Sequence, residues 1–183
     1  MTPLPGFGPP APPPDLAVFD PAERTALQWT QPRAFTAEWR LVSDDRTFAV
    51  LRGAGTPWKP VILTLKSGTF ELRHQMMKSA SIAVPGAQAP LARVLAHVFG
   101  SAPVEVDGER LYSLRRMGFL ARNWELHTLD DMRLVHFALT RTFFGWGAEV
   151  TFEDAGRRIA HAPQLLALCW FAVLNARRHA HGA

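Results

Sequence analysis

From Thr25 to about Glu153, apolar and polar residues alternate with a period of two. Phe35, Ala37, Trp39 and Leu41 alternate with Thr36, Glu38 and Arg40, and Phe70 and Leu72 with Thr69, Glu71 and Arg73. Further on, Trp124 and Leu126 alternate with Asn123, Glu125 and His127, and Ala148, Val150 and Phe152 with Glu149, Thr151 and Glu153. Successive side chains of a strand point to opposite faces, so each run predicts a strand with one face in a core and the other in water. Turn signals separate the runs: Asp44-Asp45, Gly53 to Pro57, Ser67-Gly68, Pro85-Gly86, Asp107-Gly108, Gly118 and Asp130-Asp131. Lys66-Ser67-Gly68-Thr69 and Val106-Asp107-Gly108-Glu109 have the form of tight hairpins, where glycine supplies the positive φ of a two-residue loop. The pattern predicts about twelve antiparallel strands.

The end of the chain breaks this period. Leu165 to Leu174 is LLALCWFAVL, with no polar side chain, preceded by Pro163 and followed by Asn175, Arg177 and Arg178. Proline at the start and arginines in the last turn predict a helix over about 163–178, the arginines complementing the negative end of its dipole. A helix apolar on every side belongs inside a membrane or inside a protein. A bilayer needs about 20 apolar residues, and this stretch supplies about 15 Å of rise. The helix is therefore expected to be buried in protein. A closed sheet of about twelve strands is too wide to fill with its own side chains, whereas a helix is about 10 Å across. The predicted fold is mainly β: a closed antiparallel barrel of about 12 strands wrapped around a buried hydrophobic C-terminal helix.

The first 21 residues hold eight prolines. Proline has no amide donor and a fixed φ, so residues 1–22 are expected to form a disordered Pro-rich tail. A single domain is expected over 23–179, with a flexible C-terminus at 180–183. The start lacks a charged n-region and an apolar h-region, so it does not have the form of a secretory signal.

Composition narrows the classes. Of 183 residues 48% are hydrophobic, which excludes disorder of the whole chain. Twenty Lys+Arg against 16 Asp+Glu give a formal charge of +4, too mild for a dedicated DNA binder. The basic residues are 17 Arg and only Lys59, Lys66 and Lys78. One cysteine excludes a disulfide framework and a thiolate metal cluster, and favours a cytoplasmic address, peripheral to a membrane if lipid is bound.

About twelve antiparallel strands enclosing a hydrophobic C-terminal helix, with two Trp-x-Leu hairpins, resemble the tubby C-terminal-like superfamily, which includes phospholipid scramblases and the LURP-one-related proteins. The hairpins are Trp39-Arg40-Leu41 followed by Asp44-Asp45 and Phe48, and Trp124-Glu125-Leu126 followed by Asp130-Asp131 and Leu134. The resemblance covers roughly Thr25 to Arg178. It implies a binding or membrane-associated module rather than an enzyme, with phosphoinositide binding in tubby proteins and lipid movement proposed for scramblases. The tubby Lys/Arg pattern falls on no named positions here, and the cysteine-rich segment of scramblases and an acidic calcium loop have no counterpart. Function carries over as analogy only.

No G-x-S-x-G, P-loop, G-x-G-x-x-G or H-E-x-x-H motif is present, so no catalytic residue, cofactor or metal site is assigned. His179 and His181 form a terminal His-x-His suited to adventitious metal only. Cys169, inside the apolar helix, is expected to be an inert packing residue. The Asp44-Asp45 and Asp130-Asp131 pairs are expected to serve their turns; joint cation binding would require the two turns to meet.

The most suggestive stretch is Arg110 to Arg122, RLYSLRRMGFLAR, with four arginines and no acid. A bend at Gly118 sets Arg115, Arg116 and Arg122, with Arg110 upstream, around a tip of Met117, Phe119 and Leu120. Apolar residues ringed by cations suit an anionic membrane surface, each basic residue contributing about 1 kcal/mol there. The alternative is that Phe119 and Leu120 pack into the barrel and the arginines are ordinary strand ends. Trp39, Trp124, Trp29 and Trp170 are assigned to the core, which argues against nucleic acid as a partner stacking on them. Trp58 and Trp146, each beside glycine or proline, are the candidate partner anchors. The leading expectation is a non-enzymatic domain binding an anionic membrane surface or phospholipid headgroups. The alternatives are a protein-interaction scaffold using the Pro-rich tail and exposed tryptophans, and a hydrolase with an unrecognised site at a barrel mouth.

Overall fold

A computed structural model describes residues 15–22, 26–32, 36–53, 60–75, 79–95, 100–118, 122–142 and 145–181. The described elements are β1 (Ala26–Thr30), β2 (Glu38–Ser43), β3 (Arg46–Arg52), β4 (Val61–Leu65), β5 (Gly68–Gln75) and β6 (Ser79–Ala83), followed by β7 (Ala92–Leu95), β8 (Ser101–Val106), β9 (Glu109–Met117), β10 (Asn123–Thr128), β11 (Arg133–Thr142) and β12 (Gly145–Phe152). A 3-10 turn over Gly156–Arg158 then leads to the helix α1 (Ala162–His181).

Each strand pairs antiparallel with the next in sequence, and β1 also pairs with β12, closing the barrel. Closure leaves the sheet without a free edge. The alternation dictates which side faces in: Trp29, Leu41, Leu51, Leu63, Leu72, Ile82, Val104, Leu114, Leu126, Phe137 and Val150 are all buried, and they form one core with the helix. Asp107 (φ 52°) and Gly108 (φ 85°) both take the positive φ of a tight hairpin. Asp44 (φ 51°) and Asp131 (φ 69°) do the same in their turns, a conformation aspartate tolerates better than most residues. The two Trp-x-Leu strands also share a register shift, directly after Leu41 and directly after Leu126.

From Leu165 to Leu174 no residue of α1 is more than 8% exposed. The helix packs against β3, β6 and β7, and the Trp170 ring stacks on Trp29 of β1, centroids 6.1 Å apart and planes within 10°. The all-round apolar helix is therefore the filling of the barrel, as its sequence requires. It begins one residue before Pro163 and runs to His181, longer at its C-terminal end than the sequence predicts. No helix among the described residues is long and apolar enough to cross a membrane.

The N-terminal boundary also differs. Residues 1–14 lie outside the described residues, but Leu16 bridges to Thr47 and the Ala17 amide donates to the Thr47 carbonyl at 2.9 Å. Phe19 meets Phe48 edge-on at 5.8 Å and lies 6.1 Å from Phe152. The chain thus joins the barrel before Glu23, because Phe19 has apolar surface to bury against these rings.

The meander gives the barrel two distinct ends. At the entry end lie the joins β2–β3, β4–β5, β6–β7, β8–β9 and β10–β11, and the link from β12 into α1. At the exit end lie β1–β2, β3–β4, β5–β6, β7–β8, β9–β10 and β11–β12, around the C-terminal turns of α1.

Candidate functional site

This two-ended layout sorts charge. In the sequence, the stretches joining strands at the exit end (31–37, 53–60, 76–78, 96–100, 118–122 and 143–144) contain no Asp or Glu. Those at the entry end (44–45, 66–67, 84–91, 107–108, 129–132 and 153–161) contain seven. The described carboxylate nearest the exit end, Glu38 at the start of β2, is held by Arg40 at 2.8 Å and Arg52 at 2.9 Å.

The cationic stretch of β9 is divided by its own geometry. Arg110 lies at the entry-end start of the strand, about 20 Å from Arg116 at the rise of an extended chain. It therefore does not join the others. Arg115 is tied to Asp131 in an ion pair. Arg116 follows Tyr112 and Leu114 on the inward row and faces Trp124 across the ladder at the exit end. Met117 is 40% exposed, Gly118 makes the bend at φ 71°, and Arg122 is exposed. Phe119 and Leu120 lie outside the described residues, as does Trp58.

Sequence inspection missed the third member of this site. Arg177, near the end of α1, has its guanidinium carbon 3.6 Å from the centre of the Trp146 ring. The interaction is a cation–π contact. Trp146 is therefore half-buried with one face covered, and its carbonyl accepts from Trp39 Nε1 at 3.4 Å. Burial first, and then the charges of Arg116 and Arg122, press the Arg177 pKa below its ordinary value. Arg116, Arg122 and Arg177 share the exit end although 61 positions of sequence separate the first from the last. Among the described residues none of the three has a carboxylate partner, unlike Arg40, Arg73, Arg115 and Arg133.

A second polar cluster lies on the outer wall, where Glu125, His127, Met132, Arg133, Glu153, Asp154, Ala155 and Arg158 line a cleft of about 680 Å³. His127 and Glu125 are both buried, with His127 Nε2 2.8 Å from Glu125 Oε2 and Nδ1 3.1 Å from the Asp131 carbonyl. Arg133 lies 3.3 Å from Glu125 and also pairs with Glu153. Glu125 and His127, two apart on one strand, share a face, and that spacing is the signal that could have marked them.

Burial by itself raises the Glu125 pKa, but hydrogen bonds and charge from His127 and Arg133 outweigh it and hold the carboxyl below the usual 4.5. A carboxylate held low in the folded state contributes stability above its unfolded value, and that stability is lost as pH falls through the folded one. Glu125→Gln is thus expected to destabilise the barrel by about 1–2 kcal/mol at pH 7, because Arg133 and His127 lose a charged acceptor. Urea unfolding at pH 7 and at pH 3 checks this: the gap between wild type and variant should shrink at the lower pH.

Among the described residues no three His, Cys, Asp or Glu come together as a metal site. Cys169 is fully buried and its thiol is pushed up to about 12 by burial alone, which leaves it a small packing residue. The Asp44-Asp45 and Asp130-Asp131 turns share the entry end, but β1 and β12 stand between their hairpins. No known protein family, curated protein or solved structure matches this chain.

Proposed function

We propose that this barrel is a non-enzymatic, tubby-like binding module that docks by its exit end on an anionic membrane surface, taking a peripheral place at the cytoplasmic face. The observation that carries the proposal is the charge sorting: no carboxylate in the joins of one end of the sequence's meander, and three arginines there without a carboxylate partner among the described residues. Field lines from an end with an excess of one sign steer and orient approach to a negative surface. Exposed Met117 adds apolar area beside Arg116, and the enclosed helix with a closed twelve-strand barrel supports the tubby-like comparison.

Co-sedimentation with vesicles tests this. Vesicles containing phosphatidylserine are expected to bind at low salt and neutral vesicles not, with binding falling as salt screens the contact. The double variant Arg116→Gln/Arg122→Gln should lose about 2 kcal/mol, roughly thirty-fold in affinity. Arg115→Gln should bind as wild type, since Arg115 is already paired with Asp131. Absence of binding to both vesicle types at low salt would sink the proposal.

The hydrolase alternative draws on the outer-wall cleft rather than on a barrel mouth. There the two ring nitrogens of His127 are turned to Glu125 Oε2 and the Asp131 carbonyl, so neither is directed at a substrate in the open cleft as a general base must be. The cluster serves better as a staple between β10, β11 and the link into α1. For the scaffold alternative, Trp146 has one face covered by Arg177.

A further inference from the structure

We infer that Arg116, Arg122 and Arg177 form a binding site for one dianionic phosphate group, seated where α1 leaves the barrel, with Arg177 as its fixed inner wall. This deepens the headgroup proposal above and rests on it for the source of the ligand.

Three observations lead to the site. First, Nε and Nη1 of Arg177 are shut off from water and have no hydrogen-bond partner among the described residues. A guanidinium stays charged in a protein, so this side chain carries a charge with no internal acceptor, which an anion beside its third nitrogen, Nη2, would offset. Second, the guanidinium is held against the Trp146 ring at 3.6 Å, and the Trp146 carbonyl is in turn held by Trp39. The donors are thus fixed before any ligand arrives, which lowers the entropic cost of binding. Third, Arg116 at the end of β9, Arg122 just before β10 and Arg177 in the last turns of α1 all stand at the exit end, with no described carboxylate paired to any of them. Arg133, by contrast, is matched with Glu125 and Glu153.

Three positive charges select among oxyanions. A phosphate monoester or free phosphate carries about −1.5 to −2 charge and three strong acceptor oxygens at pH 7. A carboxylate or phosphodiester carries one charge and leaves more of the cationic cluster uncompensated. Arginine suits phosphate geometry particularly well, since its planar fork donates in parallel to two oxygens.

The test uses the full chain with three probes: inorganic phosphate by titration calorimetry, vesicles containing phosphatidic acid, and vesicles containing phosphatidylserine at matched surface charge. The expected result is binding of phosphate, of phosphatidic acid vesicles, or of both. Arg177→Gln and Arg122→Gln should each weaken it about tenfold or more, the scale of one charge-assisted hydrogen bond. Arg177→Lys, which keeps the charge but not the fork, should restore it in part. Arg122→Gln alters an exposed side chain, so its effect is independent of any folding defect in the Arg177 variants, and thermal unfolding of each variant verifies the fold.

Binding of neither phosphate nor phosphatidic acid overturns the site. So does binding that both glutamine variants leave unchanged, or phosphatidic acid and phosphatidylserine vesicles binding equally well. If phosphatidylserine vesicles bind while the site fails, membrane docking stands without it. If phosphate binds in an Arg177-dependent way while all vesicles are ignored at low salt, the site stands and membrane docking falls.

Discussion

Trp170→Ala is expected to lower the unfolding free energy by about 3–5 kcal/mol, the range for removing a large buried aromatic side chain. Trp170 is 0% exposed and lies in the middle of α1, stacked on Trp29. The barrel around it is closed by continuous hydrogen bonding, so its wall relaxes little into the space left behind. For a domain of this size each kcal/mol corresponds to about 2–4 °C, which makes the fall in Tm large. Trp170→Phe should cost clearly less, because it keeps a ring against Trp29 and removes an indole N–H that is buried without a partner. Thermal and urea unfolding of both variants check the order. Equal losses would show that ring packing inside the barrel is not what holds α1 in place.

The second large effect is expected at Gly156, in the turn between β12 and α1. A Cβ there would collide with the Leu134 carbonyl oxygen and lie 2.8 Å from its carbon, both backbone atoms of β11. The Leu134 carbonyl cannot retreat freely, because it accepts the Glu153 amide at 3.0 Å. Gly156→Ala should therefore destabilise by about 3 kcal/mol, the upper range for overpacking a fixed site. Gly86→Ala provides the contrast: Gly86 has a positive φ of 80° but open space around it. It should cost about 1–2 kcal/mol, the penalty of left-handed backbone alone. Urea midpoints of the two variants separate a close approach from a strained dihedral.

Much of the fold was legible because its signals are local. The runs around Trp39 and Trp124 alternate cleanly, and both become strands with the predicted face inward. The Asp107-Gly108 hairpin follows from two residues that accept positive φ. Where the chain first meets the barrel was less legible, since proline content marks what cannot form a ladder but not that Phe19 finds partners in Phe48 and Phe152.

The candidate site was legible only in part. Arg116 and Arg122 were picked out by local charge, but so was Arg110, which the length of β9 carries to the other end. Arg177 was assigned to the helix dipole, with nothing in the chain to connect it with Trp146, 31 positions earlier. Glu125 and His127 stood on the polar face of a strand and were assigned to water, yet the turns and link beyond them bury both.

By itself the sequence determined that the chain makes half-buried strands and one helix that must be enclosed, because alternation and all-round hydrophobicity are properties of neighbouring residues and of their exclusion from water. Tertiary structure alone decided which charges meet. In a meander, alternate joins fall on opposite ends, so whether two cations share a surface depends on strand count, strand length and where the helix emerges. Sequence separation is a poor guide to that distance: Arg110 and Arg116 are kept apart by the extended strand between them, while Arg116 and Arg177 are set at one end by barrel closure around the helix.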